Sequence, residues 1–249
     1  MNVPVSVVLL AAGYGTRLYP LTKDRPKALL PLGGGVVLDW IVDGLAEVPS
    51  LSKIVLVTNR LFVQQFEGWS KTQSRRVALV DDGTSTPAER LGAIRDLLLA
   101  LKHVESHEDV LVLGTDNLFT WSLAPFVAFA QTKRPAATVA LQDVGSIEEA
   151  RRCAVVELDH QARLIRCVEK PNQPSSRTVA LCVYYFPPTI RNRMEAFVST
   201  ETRTDAPGYF LEWLVRKEPV YGYRASGMWV DIGTPETYQQ ITQQWTQVR

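Results

Sequence analysis

Residues 5–32 read VSVVLLAAGYGTRLYPLTKDRPKALLPL. The near-continuous apolar run Val5–Leu10 has the character of a parallel strand buried on both faces. Gly13-Tyr14-Gly15-Thr16-Arg17 follows directly. Glycines in this position permit positive φ and a close approach of the backbone to a ligand. Successive backbone N–H groups in such a loop can form a nest for an anion. Lys23, Arg25 and Lys27 come within ten residues of Arg17. A glycine loop with cations beside it suits a triphosphate. Two better-known glycine loops do not fit. A dinucleotide fingerprint needs G-x-G-x-x-G, and Leu18 stands where its third glycine belongs. A P-loop ends in Lys-Ser or Lys-Thr, and neither follows these glycines.

Outward from this loop, strand and helix patterns alternate. Val37–Val48 carries Val37, Leu38, Ile41, Leu45 and Val48 on one helical face. Strands are predicted at Lys53–Thr58, Arg76–Val80 and Asp109–Leu113, and helices at Leu61–Trp69 and Ala88–Leu101. This alternation predicts an α/β fold, with a doubly wound, mainly parallel sheet and helices on both faces. The second half has more strands and fewer helices. Strands are expected at Ala136–Gln142, Cys153–Leu158, Leu164–Val168 and Thr178–Phe186, with short ones at Val220–Tyr223 and Met228–Ile232. Helices are expected at Ile190–Val198 and Tyr209–Val215. A last helix starts with Thr234 as N-cap, Pro235 at its first position and Glu236 in its first turn. Its stripe of Tyr238, Ile241, Trp245 and Val248 is expected to pack on the body of the chain. No repeat, low-complexity tract or linker interrupts the pattern. One domain is therefore expected over residues 1–249, with a lobe at about 1–120, a smaller second lobe at about 121–235 and a terminal helix at 235–248.

Composition narrows the function classes. The 249 residues are 46% hydrophobic and 21% charged, an ordinary globular balance. The formal net charge is +1, which argues against nucleic acid or an anionic membrane as the main partner. No apolar run approaches the ~20 residues that span a bilayer. No basic segment precedes the first apolar stretch, so no signal peptide is expected. Cys153, Cys167 and Cys182 form no Cys-x-x-Cys pair and read as small core residues. A cytoplasmic protein is expected.

Gly13-x-Gly15-Thr16-Arg17-Leu18-x-Pro20-Leu21-Thr22, with Pro26-Lys27-x-Leu29-Leu30-Pro31, resembles the signature of the sugar-1-phosphate nucleotidyltransferases. Gly114-Thr115-Asp116-Asn117, Val168-Glu169-Lys170-Pro171 and Trp229-Val230-Asp231-Ile232-Gly233-Thr234-Pro235 follow in the family's order, at about its spacing. The resemblance implies a Rossmann-like nucleotidyltransferase fold with a smaller sugar-binding lobe. It also implies Mg²⁺, a nucleoside triphosphate donor and a sugar 1-phosphate acceptor, and leaves homo-oligomerisation open.

Each constellation then has an expected role. Leu10, Ala11, Ala12, Gly13, Gly15, Thr16 and Arg17 would hold the nucleotide, with Lys27 bridging its phosphates. Asp116 lies just past a strand, at the carboxyl edge of the sheet where open α/β folds bind ligands. Asp231 ends a short strand far along the chain. Two carboxylates from separate strand ends suit Mg²⁺, which takes one or two of them plus phosphate oxygens and water. The resemblance puts Lys170 on the acceptor phosphate and Glu169 against the sugar. It places Glu212 at the sugar by a weaker match, because Trp213 and Leu214 stand where small polar residues are usual. The catalytic set is Arg17, Lys27, Asp116, Lys170 and Asp231.

Departures from the family pattern leave both substrates open. Ala154 stands where a glycine commonly lets the backbone approach the sugar. Asp81–Leu91 replaces a stretch rich in glutamine and glycine. Asp82, Gly83 and Thr84 are expected beside the base, with thymidine not automatically preferred. Two alternatives remain: a cytidylyltransferase acting on a non-sugar phosphate or phosphonate, and a silent nucleotide-binding regulatory subunit. His103 and His107, four apart, are expected on a solvated face, and His160 in a turn.

Overall fold

A computed structural model describes residues 3–245. The first half runs β1 (Val5–Leu10), β2 (Pro31–Leu32), β3 (Gly35–Val36), α1 (Val37–Gly44), β4 (Leu51–Thr58), α2 (Val63–Ser70), β5 (Val77–Asp81), α3 (Ala93–Leu101), β6 (Asp109–Gly114) and β7 (Asn117–Phe119). The second runs α4 (Leu123–Lys133), β8 (Ala137–Asp143), α5 (Ile147–Ala150), β9 (Ala154–Leu158), β10 (Leu164–Glu169), β11 (Thr178–Phe186), α6 (Ile190–Thr200), α7 (Pro207–Val215), β12 (Val220–Arg224), β13 (Trp229–Asp231) and α8 (Pro235–Trp245).

Nine strands form one sheet, in the order β10-β9-β11-β6-β1-β4-β5, with β8 paired to β11 and β12 to β8. The central strands β6, β1, β4 and β5 are parallel. β11 joins them antiparallel to β6 and carries the antiparallel strands of the second half. Val5, Val7 and Leu9 point to one face of β1, into a core with Leu38 and Ile41 of α1 and Phe62 and Phe66 at α2. Val8 points to the other, among Val55 of β4 and Ile94 and Leu97 of α3. A strand covered on both sides has no polar face, which is why β1 reads as an apolar run. Full burial of each such side chain contributes about 1.5–3 kcal/mol.

Several expectations need correction. The helix placed at Ala88–Leu101 starts at Ala93. Gly92 at its N-cap has φ +91°, and a Cβ there would press into the Thr204 carbonyl. The preceding residues form a turn instead, with Glu89 accepting hydrogen bonds from the amides of Ser85 and Thr86. The helix at Val37–Val48 is α-helical only to Gly44, and a 3₁₀ turn over Leu45–Glu47 finishes it. Cys167 is buried, but Cys153 and Cys182 are only partly so, and all three are free. Five elements were not foreseen: the helices α4 and α5 and the short strands β2, β3 and β7. The Ser122 hydroxyl caps α4 by accepting from the Ala124 amide at 3.2 Å. His103 and His107 lie beyond the end of α3 rather than on it. In α8, Thr234 accepts from the Thr237 amide as expected of an N-cap, and Ile241 and Trp245 are buried. Val248 of that stripe lies outside the described residues. No helix of the described residues is long and apolar enough to cross a membrane.

Candidate active site

The strand-to-loop turn after β1 is held from several directions. Ala11 donates its amide to the Val57 carbonyl, and the Asn59 side chain donates to the Ala12 carbonyl at 3.0 Å. The Thr115 hydroxyl donates to the Leu10 carbonyl at 2.8 Å. Gly15 is left-handed at φ +62°, and its carbonyl accepts from the buried Thr22 hydroxyl at 2.7 Å. A Cβ at Gly15 would lie 3.2 Å from the Thr22 side chain, so both conformation and space call for glycine here. Gly13 differs: its φ is not positive, and a Cβ would meet nothing within 4 Å. Nothing in the protein demands glycine there, whereas a ligand against the backbone would. Among the described residues, the amides of residues 13–17 have no acceptor in the protein. They are a ready set of donors for an anion.

Five charged groups gather beside this loop. Lys27 Nζ donates to Asp116 Oδ2 at 2.7 Å. Asp116 Oδ1 accepts from Asn117 Nδ2 at 2.7 Å, and Asn117 Oδ1 accepts from Trp229 Nε1 at 2.8 Å. β7 pairs antiparallel with β13, setting Asn117 opposite Asp231. The Ile232 amide also donates to the Asp116 carbonyl at 2.8 Å. This small ladder joins two carboxylates 115 residues apart in sequence. Burial raises the Asp116 carboxyl, but the Lys27 charge and the hydrogen bonds from Lys27 and Asn117 outweigh it and hold it below the usual range. Asp231 goes the other way, to about 6, through burial and the Asp116 charge, against opposing pulls from Lys27, Arg17 and Lys170. Arg17 Nη1 lies 3.8 Å from where a Cβ on Gly233 would stand. Thus Arg17, Lys27, Asp116 and Lys170 all act on the Asp231 carboxyl, although the five groups come from five separate segments.

The second half supplies the far wall. Lys170 follows β10 with φ +48°, an uncommon conformation for a side chain other than glycine, asparagine or aspartate. Its amide donates to the Cys153 carbonyl, and its Nζ lies 3.3 Å from Glu169 Oε1. The Glu169 side chain is only 6% exposed. Burial raises its carboxyl, opposed by Lys170, while Asp205 and Glu212 add to the rise. Ala154 pairs with Glu169 across β9 and β10 and is buried. Gly208 opens α7 against both, and a Cβ there would collide with the Glu169 carboxylate. Glu212 is engaged at each oxygen: Oε2 accepts from the Glu169 amide at 3.1 Å and Oε1 from Arg216 at 2.5 Å. In this structure Glu212 therefore positions Glu169.

At the sheet edge beyond β5, Gly83 has φ +84° and its amide donates to Asp81. Asp82 Oδ1 accepts from the amide and hydroxyl of Thr84 at 2.7 and 2.8 Å. The Tyr14 hydroxyl meets Thr84 Oγ1 at 2.8 Å, tying this turn to the glycine loop. Sequence reasoning assigned no role to Tyr14 or Thr22, which stand in the quoted loop, and missed Asn59 and Gly208 altogether. Asn59, directly after a buried strand, was the one with a readable signal.

A family model described as nucleotidyl transferase matches residues 6–248. The chain is 26% identical over 232 residues to the bifunctional protein GlmU of Methanocaldococcus jannaschii, covering 93% of this chain and 52% of that protein. It is 26% identical over 242 residues to the UTP–glucose-1-phosphate uridylyltransferase AglF of Haloferax volcanii, covering 96% of each. The chain thus spans about half the length of bifunctional relatives such as the first. The fold is that of a UDP-glucose pyrophosphorylase solved with UDP-glucose, at a TM-score of 0.85 and 20% identity, covering 99% of this chain and 100% of that one.

Proposed function

The chain belongs to the nucleotidyl transferase family, and from that premise we propose that it transfers a nucleotidyl group from a nucleoside triphosphate to a sugar 1-phosphate, releasing pyrophosphate. One observation carries the reading. Asp116, Lys27, Arg17 and Lys170 converge on Asp231 beneath a loop whose amides are free to bind phosphate.

Residues 13–17 cradle the triphosphate, on the strand end Leu10–Ala12. Arg17 neutralises charge on the departing pyrophosphate. Lys27 has donors left beyond the one it gives Asp116 and spans the α-phosphate and the leaving group. Lys170, fixed by its backbone, orients the acceptor phosphate, while Glu169 faces the sugar beside Ala154. Asp82, Gly83 and Thr84 line the base. An acceptor phosphate oxygen attacks the α-phosphorus in line. A new P–O bond forms as the bond to the bridging oxygen breaks, and pyrophosphate leaves with that electron pair. No general base is needed, because a phosphate monoester with a second pKa of about 6 is already an anion. The work is positioning and charge stabilisation.

Asp116 and Asp231 fit a magnesium ion. They are two carboxylates forced together at a mutual electrostatic cost, which a cation between them would relieve. When bound, Mg²⁺ would neutralise the phosphate oxygens at the point of transfer.

The test is a matrix of nucleoside triphosphates against sugar 1-phosphates with Mg²⁺, reading pyrophosphate release. At least one pair should turn over. Binding of nucleotide without turnover of any pair would leave a sensing domain instead.

A further inference from the structure

One residue on the floor between the two halves has no task in this scheme. In β11 every residue after Thr178 is buried except Cys182, which is partly exposed. This interior strand of the large sheet is thus open at one place past its first residue, over a thiol. The thiol stands against a carboxylate of the site. A Cβ on Gly114 of β6 would lie 2.9 Å from Cys182 Sγ and 3.1 Å from Asp116 Oδ1, so both atoms border the same small space. From there a row of small side chains crosses the sheet. Ala180 stands two residues from Cys182 along β11, Ala154 pairs with Ala180, and Glu169 pairs with Ala154. Residues two apart on a strand share a face, as do residues opposite each other on paired strands. The far end of the row lies under α7. A Cβ on Gly208 would press on Glu169 Oε2 and lie 3.0 Å from Ala154 Cβ, so Oε2 is aimed over the row. The Glu169 side chain is 6% exposed and Lys170 engages its Oε1, whereas Oε2 has no donor among the described residues.

Burial and the charges of Asp116 and Asp231 raise the Cys182 thiol, so it stays protonated and is no nucleophile. What it contributes is shape and polarity. A methyl group makes no hydrogen bond and a thiol only a weak one. A hydroxyl pressed on Cys182, Ala180 or Ala154 would give up its water without replacement. The face of a sugar ring that carries only C–H groups loses nothing there, and a hydroxyl at the ring's edge can donate to Glu169 Oε2. We propose that Cys182 is a specificity-determining residue of the acceptor site. It bounds the acceptor between Asp116 and Glu169, and it admits a sugar 1-phosphate whose ring lies with a C–H face on the sheet. This rests on the nucleotidyl-transfer reading and adds a residue to its acceptor side.

A thiol that merely fills the core would be indifferent to substrate, so occupancy separates the two roles. Wild-type protein is treated with methyl methanethiosulfonate, which caps a thiol as a methyl disulfide, and capping of Cys182 is followed by mass spectrometry of its peptide. Rates are compared for the free protein, with Mg²⁺ and each nucleoside triphosphate, and with each of a panel of sugar 1-phosphates. At least one sugar 1-phosphate in saturating excess should slow capping about tenfold or more, and the nucleotides less than about threefold, since only the unoccupied fraction reacts. A Cys182 that resists capping altogether, that no sugar 1-phosphate protects, or that nucleotide protects equally, overturns the proposal. Steady-state kinetics of Cys182→Val, whose second branch fills space over the row, form the other arm. KM for the acceptor should rise about tenfold or more, with kcat and donor KM within about threefold. An equal loss on both substrates, or an unmoved acceptor KM, overturns it as well. The protection result decides the matter if the variant does not fold. Protection without pyrophosphate release would sustain the floor and sink the transfer reading. Turnover of a sugar 1-phosphate that leaves Cys182 unprotected would do the reverse.

Discussion

The loop after β1 and the turn after β10 both bring cations toward Asp231, and they are built by different means. In the first, the backbone itself is presented. Gly15 takes a left-handed turn, Thr22 and Asn59 hold its carbonyls from behind, and the amides face outward unbonded. In the second, side chains are presented. Glu169 is buried, Lys170 stands on a strained residue, and Glu212 is pinned between the Glu169 amide and Arg216. A backbone cradle does not distinguish what its anion is attached to, which suits a triphosphate tail. A side-chain wall is shaped by each residue and suits selection of an acceptor. The two should therefore fail differently when cut.

The largest loss is expected where the two meet. Asp116→Asn and Asp231→Asn should each lower kcat by about 10²-fold or more, a barrier rise of roughly 2.7 kcal/mol. Their stabilities should move in opposite directions when measured without Mg²⁺. Asp231→Asn removes a charge repelled by Asp116 and should raise Tm, whereas Asp116→Asn strips Lys27 of its 2.7 Å partner and should lower it. Near-normal turnover in either variant at saturating Mg²⁺ would take that residue out of the site.

Next comes the contrast between the lysines. Lys27→Ala should mainly damage kcat and use of the donor, and Lys170→Ala should mainly raise KM for the sugar phosphate. Steady-state kinetics with each substrate varied in turn would show this, and equal effects on both substrates from both variants would erase the division. The supports behind each should follow the same rule with smaller effects. Thr22→Val leaves the Gly15 carbonyl without its donor, at about 1–3 kcal/mol of stability, and should weaken the nucleotide. Gly208→Ala crowds Glu169, at a similar cost of about 1–3 kcal/mol, and should weaken the acceptor alone. Chemical denaturation gives the first quantity and substrate titration the second.

The smallest effect is a pH dependence. The Asp96 carboxyl rises from 3.8 to about 7 on folding, so the folded chain binds its proton more tightly than the unfolded chain. Its contribution is most favourable below pH 3.8 and is lost as pH rises through about 7. Asparagine has no such loss. The Tm of Asp96→Asn relative to wild type should therefore be higher at pH 8 than at pH 5, and a constant difference would contradict the buried, unpartnered state of this group.

The contrast between the halves also governs what was legible in the sequence. The β1 loop is local: strand, glycines and cations lie within residues 5–27, so their order alone describes the cradle. Asp116 and Asp231 were readable as strand-end carboxylates, but the β7–β13 ladder that joins them was not, because each strand has three residues and carries no period. The role of Glu212 depends on α7 packing against β10, and that of Gly208 on the absence of a Cβ against Glu169. Neither packing relation leaves a mark in spacing. Asp96 was hidden for a different reason: an aspartate early in a helix reads as an ordinary first-turn acid, and only burial reveals that it has no partner.

Labelled donor distinguishes nucleotidyl transfer from every other use of this site. The donor is supplied with label on the α-phosphate in one tube and on the γ-phosphate in another, each with the sugar 1-phosphate that supports turnover. The account predicts α-label in a nucleoside diphosphate sugar and γ-label in pyrophosphate. Label from the γ-phosphate appearing on the sugar phosphate, or α-label remaining wholly in free nucleotide, would contradict it.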